Sequence, residues 1–79
     1  MIYINAEGKK LVDSLEIGKE EEIIVNPYSK RSCKCTPIAV ALYDFIKGSE
    51  RIGKTDAQFE LALMIFRLNF PDEYDILVD

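Results

Sequence analysis

The longest apolar segment of the chain lies between Thr36 and Gly48. Its apolar residues recur at i, i+3, i+4 and i+7, which is the spacing of one face of an α-helix. Further apolar residues cover much of the remaining circumference, so this helix needs neighbours on two sides. Thr36 suits the N-cap, Pro37 suits the first helical position, and Gly48 can adopt the left-handed conformation that ends a helix. We therefore expect a helix that begins after Thr36 and ends at Gly48.

The same periodicity predicts a second helix from Ala57 to about Asn69. Thr55 or Asp56 suits its N-cap, and Pro71 ends it because the residue before a proline avoids the helical conformation. Two apolar stripes run along this helix and leave a narrow polar strip between them. Acidic residues follow Pro71 directly, which favours a short final helix.

Shorter signals occupy the front of the chain. Residues 2–5 alternate as in a strand, and residues 6–8 resemble the turn that ends it. Residues 9–17 fit either a helical or a strand period, and the pattern does not choose between them. Turn residues at 26–29 follow a β-branched run, which predicts a β-hairpin over residues 23–35.

These elements predict one α+β domain over residues 1–79, with a small N-terminal β-hairpin region followed by two to three packed α-helices. Residues 1–22 are interpreted as a variable N-terminal extension, 23–35 as the hairpin and 36–79 as the helical part. A chain of 79 residues is near the lower limit for folding on a single core without disulfides or metals.

Two helices that are apolar over most of their circumference have more apolar surface than so short a chain can cover. Burying one large apolar side chain is worth roughly 1.5 to 3 kcal/mol, so four or five exposed ones would forgo about 6 to 15 kcal/mol. We therefore expect a homo-oligomer, a dimer or higher. The predicted interface residues are Val40, Tyr43, Leu61, Ile65 and Leu68. The alternative is a three-layer monomer in which the hairpin and residues 9–17 cover the helices from opposite sides.

The charge balance narrows the range of partners. The formal net charge is −4, from 14 acidic and 10 basic residues, which disfavours generic nucleic-acid binding and binding to anionic membranes. The chain shows no basic leader and no apolar run of membrane-spanning length. Its two cysteines are too few for a secreted disulfide framework, and we expect a cytoplasmic protein.

Few residue types with catalytic chemistry are present. The chain has no histidine, which removes the commonest base and metal ligand at neutral pH. Cys33 and Cys35 from two copies could assemble a four-ligand zinc site, but packing under the hairpin is the simpler interpretation. The acidic residues near the C-terminus are typical of a solvated helix start. We expect no catalytic residues, no metal and no cofactor.

A basic cluster stands out against the acidic background. Lys30, Arg31 and Lys34 fall within five positions and lead into the N-terminus of the central helix, which itself favours anions. This combination predicts a site for an anion or a nucleotide. The predicted ligand-binding residues are Tyr28, Ser29, Lys30, Arg31, Ser32, Lys34 and Thr36. The alternative is a solvated hairpin tip whose cations only keep it soluble.

Three motifs resemble a group of small phage-encoded proteins over roughly residues 23–79. They are Asn26-Pro-Tyr-Ser29, Thr36-Pro-x-Ala-Val-Ala-Leu-Tyr-Asp-x-Ile-x-Gly48 and Pro71-x-Glu-Tyr-x-x-Leu-x-Asp79, and the pattern also includes Glu50 and the pair Phe66-Arg67. Many of those proteins carry glycine where this chain has Lys30. The resemblance supplies no activity and no site residues, but it implies a phage-type protein. Small acidic phage proteins often inhibit host machinery by blocking a protein surface or by sequestering a nucleotide.

We therefore expect a non-enzymatic phage-type binding protein that antagonises a host process such as bacterial immunity. The basic tip favours a sponge for an anionic signalling nucleotide of the cyclic or ADP-ribose type. One alternative is a structural or assembly protein that uses its helix faces. The other is an inhibitor that blocks a host protein through acidic residues, namely Glu20, Glu21, Glu22, Asp72, Glu73 and Asp75.

Overall fold

The computed structural model describes residues 4–78, which form a two-stranded antiparallel sheet and four helices. In chain order the elements are α1 (Ala6–Ser14), β1 (Glu22–Val25), β2 (Ser32–Cys35), α2 (Pro37–Arg51), α3 (Ala57–Asn69) and α4 (Pro71–Leu77). The predicted α+β class is confirmed, with a hairpin followed by three helices. None of these four helices is long and apolar enough to cross a membrane.

The first helix corrects the prediction for the front of the chain. The turn predicted at residues 6–8 is wrong, because α1 begins there with Asn5 as its N-cap. The Asn5 side chain accepts a hydrogen bond from the Gly8 amide at 2.7 Å. Of the predicted first strand, residues 2 and 3 lie outside the described residues, and Ile4 and Asn5 are not in a strand.

α1 packs on α3 and contributes to the common core. Leu11 and Val12 are buried with the core residues of the other helices, so part of the predicted N-terminal extension stabilises the fold. Gly8 is buried where the two helices meet, and a Cβ atom there would lie 2.9 Å from Cδ1 of Ile65. The missing side chain of Gly8 therefore permits the close approach of α1 to α3.

The central helix is longer than predicted. α2 continues through Gly48 to Arg51, and the residue with the left-handed conformation is Gly53, at φ +72°. The Gly53 and Lys54 amides donate to the carbonyl oxygens of Glu50 and Ser49 at 3.1 and 2.8 Å, which closes the helix end. The predicted stop at Gly48 is wrong because a helix interior tolerates glycine at a cost of only about 1 kcal/mol.

The starts of the later helices follow the predicted chemistry. The Thr36 hydroxyl accepts from the Ala39 amide at 3.4 Å and caps α2. The Asp56 carboxylate accepts from the Gln58 and Phe59 amides at 3.1 and 3.2 Å and caps α3. These side chains satisfy amides that have no partner within the helix.

The core lies between α2 and α3 and is closed by α1, β2 and α4. Phe66 is at its centre, with ring centroids 5.9 Å from Phe70 and 6.4 Å from Tyr74. The largest fully buried side chains are Phe66, Leu42, Ile46, Ile65, Leu77 and Cys35. Residues from every helix and from β2 therefore share one apolar interior.

This core changes the predicted oligomer interface. Val40 and Ile65 are buried by the chain's own elements, so these two residues are not available to a second copy. For Ile65 the reason is that α1, which the pattern left ambiguous, packs against α3. Tyr43 and Leu61 are half-buried, and Leu68 is 59% exposed. A single copy thus hides more of its helices than their periodicity indicated.

Two glycine substitutions test the end of α2. Gly48→Ala should raise the free energy of unfolding by about 1 kcal/mol, because Gly48 is helical and an added Cβ meets nothing within 4 Å. Gly53→Ala should lower it by about 1 to 2 kcal/mol, because that residue is left-handed in equally open space. Urea unfolding measures both. The opposite ranking would place the helix stop at Gly48.

Candidate functional site

The hairpin has two different faces. The antiparallel register pairs Ile24 with Cys33 and Val25 with Ser32. Because side chains alternate along a strand, Ile24, Cys33 and Cys35 face the helices. Ile23 and Val25 face outward and are 72% and 52% exposed. The outer face of the hairpin is therefore apolar along β1.

The hairpin tip is held by the buried side chain of Asn26. Its carbonyl oxygen accepts from the Tyr28 and Ser29 amides at 2.9 and 3.3 Å. Its amide nitrogen donates to the Ile76 carbonyl oxygen at 2.8 Å, across a separation of 50 residues. Asn26 therefore shapes the turn and also joins it to α4. The sequence marked Asn26 only as a turn residue, and no local signal reveals its distant partner.

The backbone of the tip makes a tight reversal. Lys30 is left-handed at φ 65°, and its amide donates to the Asn26 carbonyl oxygen at 2.9 Å. Glycine adopts this conformation without steric cost. Tyr28 is 92% exposed, so its ring projects from the tip into solvent.

The structure does not bring the predicted ligand-binding residues together. Residues 28–31 lie at the tip, whereas Thr36 follows β2 at the far end of the hairpin. Five residues of extended chain at about 3.3 Å each separate Arg31 from Thr36 by roughly 16 Å. Ser32 lies on the outer face, and Lys34 is 3.4 Å from Glu21 in an exposed ion pair. Lys30 and Arg31 therefore lie away from the start of α2, and the ligand-binding role of the predicted residues stays a prediction.

The tip instead lies beside the C-terminal half of α2, across an open groove of about 600 Å³. One face of α2 lines this groove with Tyr43, Lys47 and Arg51. Their spacing of i, i+4 and i+8 in the sequence is a signal that could have identified them as one face of a helix. Lys47 is 3.2 Å from Glu50 and 5.8 Å from the centre of the Tyr43 ring. The other lining residues are Asn26, Pro27, Tyr28, Asp44, Gly48 and Glu50. The groove combines aromatic rings with charges of both signs.

The two cysteines lie under the hairpin as a weakly hydrogen-bonded pair, with their sulfur atoms 3.7 Å apart. Cys35 is fully buried in the core and Cys33 is half-buried. Burial, and then the hydrogen bond and charge of Cys33, raise the pKa of the Cys35 thiol from 9.0 to about 12. The Cys35 thiol therefore stays protonated at neutral pH, which disfavours nucleophilic and metal-binding roles.

Acidic residues from two distant segments lie next to β2, because Glu22 is the register partner of Cys35 and the first turn of α4 carries Asp72 and Glu73. The negative charges of Glu73 in α4 and Glu22 in β1 also contribute to the raised pKa of the Cys35 thiol. Glu73 and Asp72 occupy the first turn of α4, which packs against β2. Glu21, by contrast, pairs with Lys34 of the outer face. Glu21 and Glu22, which were predicted to belong to one acidic surface, therefore lie on opposite faces of the hairpin.

No group of three or more potential metal ligands occurs among residues 4–78. No protein-family model, curated protein or solved structure matches the chain.

Two substitutions test the role of Asn26. Asn26→Ala should lower the free energy of unfolding by about 2 to 3 kcal/mol, because it leaves the Ile76 carbonyl and two turn amides without their partner. Asn26→Asp keeps an oxygen that accepts from the turn amides, but its carboxylate faces the Ile76 carbonyl oxygen and repels it. This variant should therefore be less stable than wild type at neutral pH. The difference in the free energy of unfolding should shrink in acid, where the carboxyl group is protonated and can donate to that carbonyl. A loss below about 0.5 kcal/mol for Asn26→Ala would show that the link to α4 contributes little.

The Cys35 thiol predicts a loss of stability in alkali. The pKa of this thiol is higher in the folded state than in the unfolded state, so the unfolded chain loses the proton first as the pH rises. The contribution of the thiol to the free energy of unfolding is therefore complete below pH 9 and declines as the pH rises towards 12. The slope approaches about 1.4 kcal/mol per pH unit. Urea unfolding between pH 8 and pH 11 should show the stability difference between wild type and Cys35→Ala narrowing above pH 9. A constant difference would contradict the raised pKa.

Proposed function

We propose that this protein is a non-catalytic, phage-type binding protein that antagonises a host process by covering a basic surface of a host protein. The contact surface is the acidic side of the hairpin and α4, defined by Glu22, Asp72, Glu73 and Asp75. The observation that supports it is the packing of α4 against β2, whose Cys35 is the register partner of Glu22, because it brings together two acidic segments that are distant in sequence. We call this set the acidic surface.

The acidic surface suits a basic partner for an electrostatic reason. None of its four carboxylates forms an ion pair with another described residue, and all except half-buried Glu73 are exposed. Carboxylates of like charge repel one another, and a cationic partner relieves that repulsion. Such complementarity accelerates association and weakens as salt is added. The net charge of −4 also attracts a basic partner, and it does so over longer distances than the individual carboxylates.

The groove beside the hairpin tip favours a second candidate function, the sequestration of an anionic nucleotide. Tyr28 and Tyr43 offer rings for base stacking, and Lys47 and Arg51 offer cations for phosphate. Two features weigh against it. Asp44 and Glu50 line the same groove, and the C-terminal half of α2 carries the negative end of the helix dipole. The acidic surface is therefore the better-supported site.

Two matched triple variants test the acidic surface. Glu22→Gln, Asp72→Asn and Asp75→Asn together remove three charges from it. Glu7→Gln, Glu16→Gln and Glu60→Gln remove three exposed charges elsewhere. We expect wild type to capture a basic protein from a bacterial lysate at low salt and to release it at 0.5 M salt. The first variant should bind the purified partner at least tenfold more weakly, and the second should bind within twofold of wild type.

Equal affinities of the two triple variants would contradict the acidic surface. Thermal unfolding of both variants separates lost charge from lost fold. The absorbance ratio at 260 and 280 nm of the purified protein tests the second candidate, because the chain contains tyrosine but no tryptophan. A nucleotide that stays bound to wild type through purification, and is lost in the Lys47→Ala and Arg51→Ala variants, would favour nucleotide sequestration.

A further inference from the structure

The outer strand β1 has an edge that no other described strand pairs with. In an antiparallel ladder, residue pairs that exchange hydrogen bonds alternate with pairs that do not. The Asn26 amide donates to the Arg31 carbonyl oxygen at 2.8 Å, which assigns this pair to the bonded set. Alternation then assigns Ile24 with Cys33 to the same set. The backbone amides and carbonyls of Ile23 and Val25 therefore point away from β2, towards the free edge.

The same two residues expose apolar side chains. Ile23 and Val25 lie on the outer face, at 72% and 52% exposure. The helices α2 and α4 pack against β2, which leaves β1 as the outermost strand. An unprotected edge with exposed β-branched residues is a template for another strand. Apart from Glu22, this edge consists of residues 23–25, which include neither a proline nor a charged residue that would block such pairing.

The charges along the hairpin identify the kind of strand that fits. Glu20, Glu21 and Glu22 lie at the start of β1, and Lys30 and Arg31 lie at the tip beyond its other end. If a second copy pairs in antiparallel orientation, the acidic start of β1 in each copy lies near the basic hairpin tip of the other. This favourable pairing of opposite charges occurs twice, once at each end of the interface. A parallel copy places like charges together. The charge pattern therefore favours a second copy of this chain in antiparallel orientation.

We propose that two copies pair through β1 about a two-fold axis at Ile24, which gives a continuous four-stranded sheet. In this register Ile23 of each copy is opposite Val25 of the other, and their free amides and carbonyls form four hydrogen bonds. The four exposed side chains meet on the outer face, where cross-strand contacts between β-branched residues stabilise a sheet. The helices remain on the opposite face. This inference does not rest on the proposed function: Asp72, Glu73 and Asp75 lie in α4, and Glu22, the one residue of the acidic surface in β1, is the register partner of Cys35 on the inner face.

Light scattering on the full chain tests the pairing. We expect wild type at 0.1 mM to have a mass near twice the chain's 9.0 kDa. Val25→Lys should halve that mass, because a charge on the outer face blocks the edge. Leu68→Lys is the matched control, since Leu68 is 59% exposed but lies on α3, and it should leave the mass unchanged. A monomeric wild type, or a dimer that only Leu68→Lys dissociates, would overturn the proposal.

A charge swap tests the antiparallel orientation. The variant Glu20→Lys, Glu21→Lys and the variant Lys30→Glu, Arg31→Glu each place like charges together in a homodimer. Each should be largely monomeric at a concentration where wild type is dimeric, with far-ultraviolet circular dichroism confirming that it is folded. Mixed in equal amounts, they should form a heterodimer, because both ends of the interface then match. A mixture that stays monomeric would contradict the antiparallel arrangement.

Discussion

The buried side chain of Asn26 is the interaction on which the arrangement of the hairpin depends. It shapes the turn through two backbone amides and bonds the Ile76 carbonyl of α4. A buried amide without these partners would be costly, so the turn and the last helix are stabilised together. This link holds the hairpin over α4, with β2 towards the helices and β1 outermost.

Both candidate interaction surfaces follow from that placement. On the helix side, Glu22 is paired with Cys35 of β2, and α4, with acidic residues in its first turn, packs against the same strand. On the outer side, it leaves Ile23 and Val25 exposed along a free strand edge. Residue alternation within β1 separates the two surfaces, so a charged contact and an apolar contact can exist on one short strand without competing.

Local chemistry explains which parts of the fold could be predicted from sequence. The side chains of Thr36 and Asp56 cap their helices by accepting from backbone amides in the first turn, and Pro71 starts the last helix. Such signals need no tertiary information. α1 was ambiguous because its apolar residues are few and become buried only through tertiary contacts, such as those with α3. Gly48 was misassigned because a glycine that ends a helix and one that a helix tolerates look alike in sequence.

The candidate site was less predictable because proximity along the chain differs from proximity in space. Arg31 and Thr36 are five positions apart, yet β2 holds them at opposite ends of the hairpin. Conversely, Glu22 and α4 are distant in sequence, yet both lie next to β2 in the fold. The most direct test of this account is the nuclear Overhauser effect between the side-chain amide protons of Asn26 and the backbone protons of Ile76. The account predicts strong cross-peaks and slow solvent exchange of the amide proton bonded to Ile76. Absent cross-peaks with rapid exchange would contradict it.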